Sequence, residues 1–153
     1  MTAVCRATTA TAYYETEIEM ARAKILIRDY MTRSVVKLRP ETEILRAVHD
    51  LIDGHVSGAP VVDDRDTVVG MLTERDCMKV VLNAAYHQEH GGLVREFMAT
   101  DIEVMHPDLS IVDAAKNFYE KTYLRYPVVE DGRLIGVISR SDIMRAMGDY
   151  WKI

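Results

Sequence analysis

A chain of 153 residues, 48% hydrophobic and 28% charged, has room for one ordinary domain or two small half-domains sharing a core, and is too apolar to stay disordered. Its net charge of -5 gives no general attraction to polyphosphate backbones, and no segregated basic face is visible, so nucleic acid is not an expected partner. No apolar run reaches the ~20 residues of a membrane span, and Met1 to Glu19 lacks the basic-then-apolar order of a secretory signal, so no membrane is expected and the location implied is cytoplasmic.

In chain order, residues 1–14 read as loose, and Glu15 to Arg28 as a helix with Ile18, Ala21, Ile25 and Leu26 on one face. Just after Pro40, the spacing of Ile44, Ala47, Val48, Leu51 and Ile52 predicts an amphipathic helix that Gly54 stops. Ala59 to Asp63 and Val68 to Leu72 predict two short strands about a turn at residues 64–66, with Pro60 expected at a strand start or edge. Thr73-Glu-Arg-Asp76 then opens a second helix through Leu82, and Asn83 to Gly92 reads as a helix end and a flexible link. The order repeats: a helix from Asp108 to Lys121, strands around Val128-Val129 and Leu134 to Ile138, and a closing helix from Ser141 to Met147.

The repeat is in the residues themselves. Met31 matches Met98, Pro40 Pro107, Ile44 Ile111, Ala47 Ala114 and Pro60 Pro127, each 67 positions apart. One residue is dropped in the turn after Asp131, and Gly70 then matches Gly136, Thr73 Ser139 and Asp76 Asp142 at a shift of 66. Each copy is a strand-helix-strand-strand-helix unit of ~55 residues, too small to be comfortable alone, and two packed together solve that problem.

Three pairs of segments carry a resemblance: Asp29-Tyr-Met31 with Arg95-Glu-Phe-Met98, Val56-Ser-Gly-Ala-Pro-Val-Val-Asp63 with Tyr123-Leu-Arg-Tyr-Pro-Val-Val-Glu130, and Gly70-Met-Leu-Thr-Glu-Arg-Asp76 with Gly136-Val-Ile-Ser-Arg-Ser-Asp142. Together and in order, they resemble the CBS domain family over about residues 27–148. The resemblance implies an α/β (α+β) fold of two βαββα repeats packed through their sheets with pseudo-twofold symmetry. Two clefts are enclosed, and the helices usually form a homodimer. The expected division is an N-terminal tail and helix at 1–26, a first domain at 27–82, a linker at 83–92, a second domain at 93–148 and a C-terminal tail at 149–153.

The cleft chemistry can be argued from residue types. Thr73 and Ser139 sit at strand-to-helix junctions, where free backbone N–H groups and the helix dipole favour a phosphate. Three residues on, Asp76 and Asp142 offer carboxylates that accept hydrogen bonds from both hydroxyls of a ribose. Arg75, Arg125 and Arg140 offset the repulsion between carboxylate and phosphate. Residues before the prolines offer backbone groups and apolar side chains to a purine. By resemblance, each cleft joins the motif of one copy to the first strand and pre-proline residues of the other. The first site would join Met71, Thr73, Arg75 and Asp76 to Thr100, Asp101, Ile102, Tyr123, Leu124 and Arg125. The second would join Val137, Ser139, Ser141 and Asp142 to Thr32, Ser34, Val35, Val56 and Ser57. The first has more arginine near the phosphate position and is favoured for a charged nucleotide.

The same strings are what an ordinary helix start looks like, an N-cap hydroxyl with an acid at N3. Two instances at equivalent places in a duplicated fold favour a ligand, and capping and binding can coexist. Arg125 can equally be a solvated charge, and Tyr123 and Tyr126 read first as packing residues. Cys77 starts a helix, where a thiolate is favoured, but Ile143 is its counterpart, so a buried apolar role is preferred. The scattered histidines and two cysteines form no metal set, and no nucleophile–base pair or Walker-type loop is present, so neither a metal, a catalytic cofactor nor an enzyme is expected. The expected function is a regulatory module sensing AMP, ADP or ATP, with S-adenosylmethionine or NAD ranked behind, acting through dimer geometry or an unknown effector protein. The alternative is a ligand-free dimerisation or docking module with vestigial clefts.

Overall fold

The computed structural model describes residues 25–151; residues 15–24 of the predicted N-terminal helix lie outside them, and of its last four residues Leu26 is extended while Ile27 and Arg28 belong to a separate short helix. Ten elements follow in order: α1 (Ile27–Tyr30), α2 (Ile44–Asp53), β1 (Gly58–Val62), β2 (Val68–Thr73), α3 (Glu74–His87), α4 (Val94–Phe97), α5 (Ile111–Glu120), β3 (Arg125–Glu130), β4 (Arg133–Ser139) and α6 (Arg140–Trp151). The strands form two antiparallel hairpins, β1-β2 and β3-β4, in which Pro60 faces Met71 and Pro127 faces Val137. The architecture is α+β, and no helix among the described residues is long and apolar enough to cross a membrane.

The predicted opening strand of each copy is reduced to a single residue. Leu38 N donates to Pro60 O (3.0 Å) and Val62 N to Leu38 O (2.9 Å), and Met105 does the same with Pro127 and Val129 (2.9 Å each). This parallel pairing calls on the oxygen of the proline and the nitrogen two residues later, and never on the proline nitrogen. Pro60 therefore stands in the middle of β1, not at its start, and because β1 is one of only two strands in its sheet among the described residues the proline sits on an edge strand without breaking a hydrogen bond.

The copies are interleaved at their lead-in segments. Ile27 N donates to Leu109 O and Arg28 N to Pro107 O, while Val94 N donates to Thr42 O and Arg95 N to Pro40 O, at 2.9–3.0 Å. Ile27 and Met31, at the start of the first copy, consequently pack with Ile111, Phe118, Tyr126 and Ile138 of the second. Val94 and Phe97 reciprocally join Leu38, Ile44, Leu51 and Leu72. Each core is completed by residues from the other half. Thr42 and Leu109 are thereby committed to the opposite lead-in and the N-caps Glu43 and Ser110 are extended, so α2 begins at Ile44 and α5 at Ile111, later than Pro40 and Asp108 suggest.

Two glycines permit the closest approach. Thr32 and Val137 exchange both backbone hydrogen bonds, as do Met71 and Ala99, all at 2.9 Å. A Cβ on Gly136 would lie 2.8 Å from Met31 Sδ and 2.9 Å from Thr32 O; on Gly70, 2.6 Å from Met98 Sδ and 2.9 Å from Ala99 O. At the other end of the first copy, the segment read as a link is helical as far as His87, and Gln88, at φ 53°, closes α3 in the left-handed region.

The β1-β2 turn is held by Asp63, whose Oδ1 accepts from Arg65 N (2.8 Å) and Thr67 N (3.0 Å). These donors hold its carboxyl below the usual carboxylate range. A depressed folded-state value stabilises above the unfolded value and loses that contribution as pH falls through the folded one. The melting temperature of Asp63→Ala is thus expected to lie below that of the parent at pH 7, with the gap closing below about pH 4. Thermal melts at a series of pH values check this.

Candidate functional site

Each strand-to-helix junction repeats one arrangement. Thr73 N and Oγ1 donate to Asp76 Oδ2 at 3.0 and 2.8 Å, and Asp76 N returns a 3.3 Å bond to Thr73 Oγ1. Ser139 N and Oγ donate to Asp142 Oδ2, both at 2.8 Å, with Asp142 N returning 3.4 Å. Both motifs therefore cap their helices, as the plain reading of the sequence has it. The capping uses one oxygen of each carboxylate. The other oxygen distinguishes the copies: Asp76 Oδ1 has no hydrogen-bond partner among the described residues, whereas Asp142 Oδ1 accepts from Arg145 Nη2 at 2.9 Å. Arg145, three residues along α6 and hence on the same face, also donates to Tyr30 O at 2.8 Å.

Two clefts of similar size flank these motifs. The cleft of Asp76, about 370 Å³, is walled by Met71, Thr73, Arg75, Asp76, Asp101, Ile102, Tyr123, Leu124 and Arg125, which are all the residues of the first expected site except Thr100. Thr100 is exposed, and Ala99 takes its place because it is the residue bonded to Met71. Ser57, Glu74, Glu103, Thr122, Tyr126 and Pro127 complete that wall and were not anticipated. The cleft of Asp142, about 380 Å³, is walled by Thr32, Ser34, Val35, Val56, Val137, Ser139, Ser141 and Asp142, joined by Val36, Gly54, Gly58, Pro60, Arg125 and Arg145. Ser57, expected here, lines the first cleft instead. Volumes near 300–1,000 Å³ suit small ligands.

The arginines are distributed differently from expectation. Arg125 stands in the wall of both clefts, since its counterpart in the first copy is Gly58 and the guanidinium reaches across the pseudo-twofold axis to it. Nη1 donates to Gly58 O (3.3 Å) and Nη2 to Ser57 Oγ (3.0 Å). Burial pushes its pKa down, opposed by Asp142 and Glu74. Arg140 faces neither cleft and lines an outer groove between α5 and α6. Each cleft thus has two guanidiniums, Arg75 and Arg125 in one, Arg125 and Arg145 in the other, so arginine number does not separate them.

The helix starts also offer less than expected. Glu74 N donates to Ser57 O (2.9 Å) and Asp76 N to Thr73 Oγ1, so of the first three α3 amides only that of Arg75 is uncommitted among the described residues. An anion here depends on guanidiniums more than on backbone donors. Two buried polar atoms lack partners among the described residues, Arg125 Nε and the hydroxyl of Tyr126, and they belong to consecutive residues in the Asp76 cleft. Tyr126 is 2% exposed, packed edge-on against Phe118 and Tyr123, and burial raises its hydroxyl pKa. An unmade buried hydrogen bond costs ~1–3 kcal/mol, so this wall favours an occupant with polar atoms.

Cys77 is buried; burial first, then Asp76 and Glu74, push its thiol upward, which keeps it protonated at neutral pH and disfavours the helix-start thiolate. His106, Asp108 and Glu130 bring donor atoms within 4.8 Å of one another, but Arg28 already bridges Asp108 (2.6 Å) and Glu130 (2.9 Å).

Comparison with known proteins matches the CBS domain family twice, at residues 27–83 and 94–149. The uncharacterized protein MJ1225 of Methanocaldococcus jannaschii is 28% identical over 125 residues, covering 82% of this chain and 44% of that one. The chain therefore spans less than half the length of that relative. The crystal structure of CBSX2 in complex with AMP, a protein of Arabidopsis thaliana, superposes with a TM-score of 0.74 at 29% identity over 83% of this chain and 98% of the other. The CBS domain pair of MJ0100, in complex with 5-methylthioadenosine and S-adenosyl-L-methionine, shares the fold with a TM-score of 0.70 at 24% identity, covering 82% and 97%.

Proposed function

This chain belongs to the CBS domain family and carries the domain twice; on that premise we propose that it is a regulatory module that binds an adenosyl ligand between its two copies. The observation that supports this most is the placing of Asp76 and Asp142 in the walls of two ligand-sized clefts, each built from both copies. A ribose presents two adjacent hydroxyls, and a carboxylate is the side chain suited to accept both. Asp76 keeps Oδ1 for this while Oδ2 caps the helix. Met71, Ile102 and Tyr123 offer apolar surface to a purine, and Arg75 and Arg125 meet a phosphate or other acceptor. The CBSX2 complex with AMP makes AMP the first ligand to test.

Because both halves contribute to each wall, a bound ligand stabilises one arrangement of the halves over others, and this difference is what a partner would read. The outer faces support self-association: Ile52 and Met144 are 67% exposed and Tyr119 93%, on helices that pair beside apolar grooves. A homodimer through these helices is part of the proposal.

A second reading, a docking module with unused clefts, is favoured by one observation: capping alone accounts for both Asp residues. Thermal melts separate the two. AMP at a hundred times its Kd is expected to stabilise the fold by ~2.7 kcal/mol. No shift with AMP, ADP, ATP or S-adenosylmethionine overturns the sensing reading in favour of docking.

A further inference from the structure

The two clefts differ in chemistry far more than the repeat suggests. Four carboxylates (Glu74, Asp76, Asp101 and Glu103) face two guanidiniums (Arg75 and Arg125) in the first. Even with Glu103 paired to Lys121, negative charge prevails. In the second, Asp142 is the one carboxylate of the wall, against Arg125 and Arg145, among the hydroxyls of Thr32, Ser34, Ser139 and Ser141. Ser139 and Ser141 are within 2.8 Å of each other, a paired hydroxyl group of the kind that donates to a phosphate oxygen. The first wall is instead rich in apolar and aromatic surface, with the partnerless Tyr126 hydroxyl buried in it.

From this contrast we infer that the clefts select adenosyl ligands by charge: the Asp142 cleft takes the phosphorylated nucleotide, and the Asp76 cleft takes an adenosyl ligand carrying no net negative charge. The inference rests on the sensing reading and reverses the preference drawn from the sequence, where Arg75 and Arg125 appeared to favour the first site. Arg145 is the residue that makes the second cleft specific. Its guanidinium covers Asp142 Oδ1 from a side chain that is 56% accessible, held there by its bonds to Asp142 and to the Tyr30 carbonyl, so that solvent or an anion can reach it. A phosphate draws Arg145 away and uncovers Oδ1 for the ribose. A nucleoside has nothing with which to displace it.

Calorimetric titration of the full chain with AMP and with methylthioadenosine tests the assignment. Asn retains a carbonyl to accept the capping bonds, so Asp76→Asn and Asp142→Asn leave the helix starts intact. Asp142→Asn is expected to weaken AMP about a hundredfold and to leave methylthioadenosine unaffected, and Asp76→Asn to do the reverse. In the Asp76→Asn background, Arg145→Ala is expected to lower the ratio of AMP to adenosine affinity about tenfold; taking the ratio cancels the cost of uncovering Asp142. Loss of AMP with Asp76→Asn alone, equal loss of both ligands in one variant, or an unchanged ratio with Arg145→Ala overturns the charge assignment and leaves the sensing reading standing. Binding of neither ligand to the parent chain overturns both.

Discussion

Changing Asp76 and Asp142 together to asparagine is expected to weaken every adenosyl ligand about a hundredfold while moving the melting temperature of the free protein little. The two effects separate because each carboxylate has two tasks. One oxygen receives the hydroxyl and amide of Thr73 or Ser139, and an asparagine carbonyl can receive them as well. The other oxygen is the one a ribose would use, and there asparagine offers an amide that only donates. Hydrogen bonds to a charged acceptor contribute ~1.5–3 kcal/mol, which sets the scale at roughly two powers of ten. Isothermal titration reads the binding and a melt without ligand reads the fold. A double variant that binds as the parent does would assign the motifs to capping alone.

The second large effect is on stability. Gly70→Val and Gly136→Val are each expected to cost about 3 kcal/mol, or ~10 °C in melting temperature. An added Cβ at either position lies within 3 Å of a backbone carbonyl, that of Ala99 or Thr32, which cannot rotate away as a side chain does. The strand bonded there must withdraw, and with it go the paired bonds of Met71 with Ala99 or Val137 with Thr32. Those residues wall the clefts, so ligand-induced stabilisation should fall alongside the melting temperature. Gly148 provides the control. It lies in α6 with nothing near its added Cβ, and Gly148→Ala is expected to raise stability by ~0.5–1 kcal/mol through helix propensity. A Gly136→Val protein as stable as its parent would show that the copies do not need this approach.

What the sequence made legible was what is local or repeated. The spacing of Ile44, Ala47 and Leu51 gives a helix face, and these residues are buried. The register between the copies places Asp76 and Asp142 at equivalent junctions. Which core Ile27 or Phe97 joins is not a local property, since either could have packed within its own half; only the three-dimensional path settles it. Arg125 illustrates a second limit. Its sequence neighbourhood resembles that of Gly58, yet its guanidinium bonds to the Gly58 carbonyl and the Ser57 hydroxyl of the other copy, a contact that neither segment signals by itself. Arg145 had a signal that went unused: an arginine three places after a helix-start aspartate lies on its face and competes for its carboxylate.

The exchanged lead-in segments carry a consequence for how such a protein can exist at all. A single half would leave Ile44, Leu51 and Leu72 without Val94 and Phe97, and would carry Ile27 and Met31 with nothing to cover them. Folding is therefore a property of the pair, whether both members are encoded on one polypeptide or meet as separate molecules, and a protease cut in the stretch joining them should leave a bound complex instead of two free fragments.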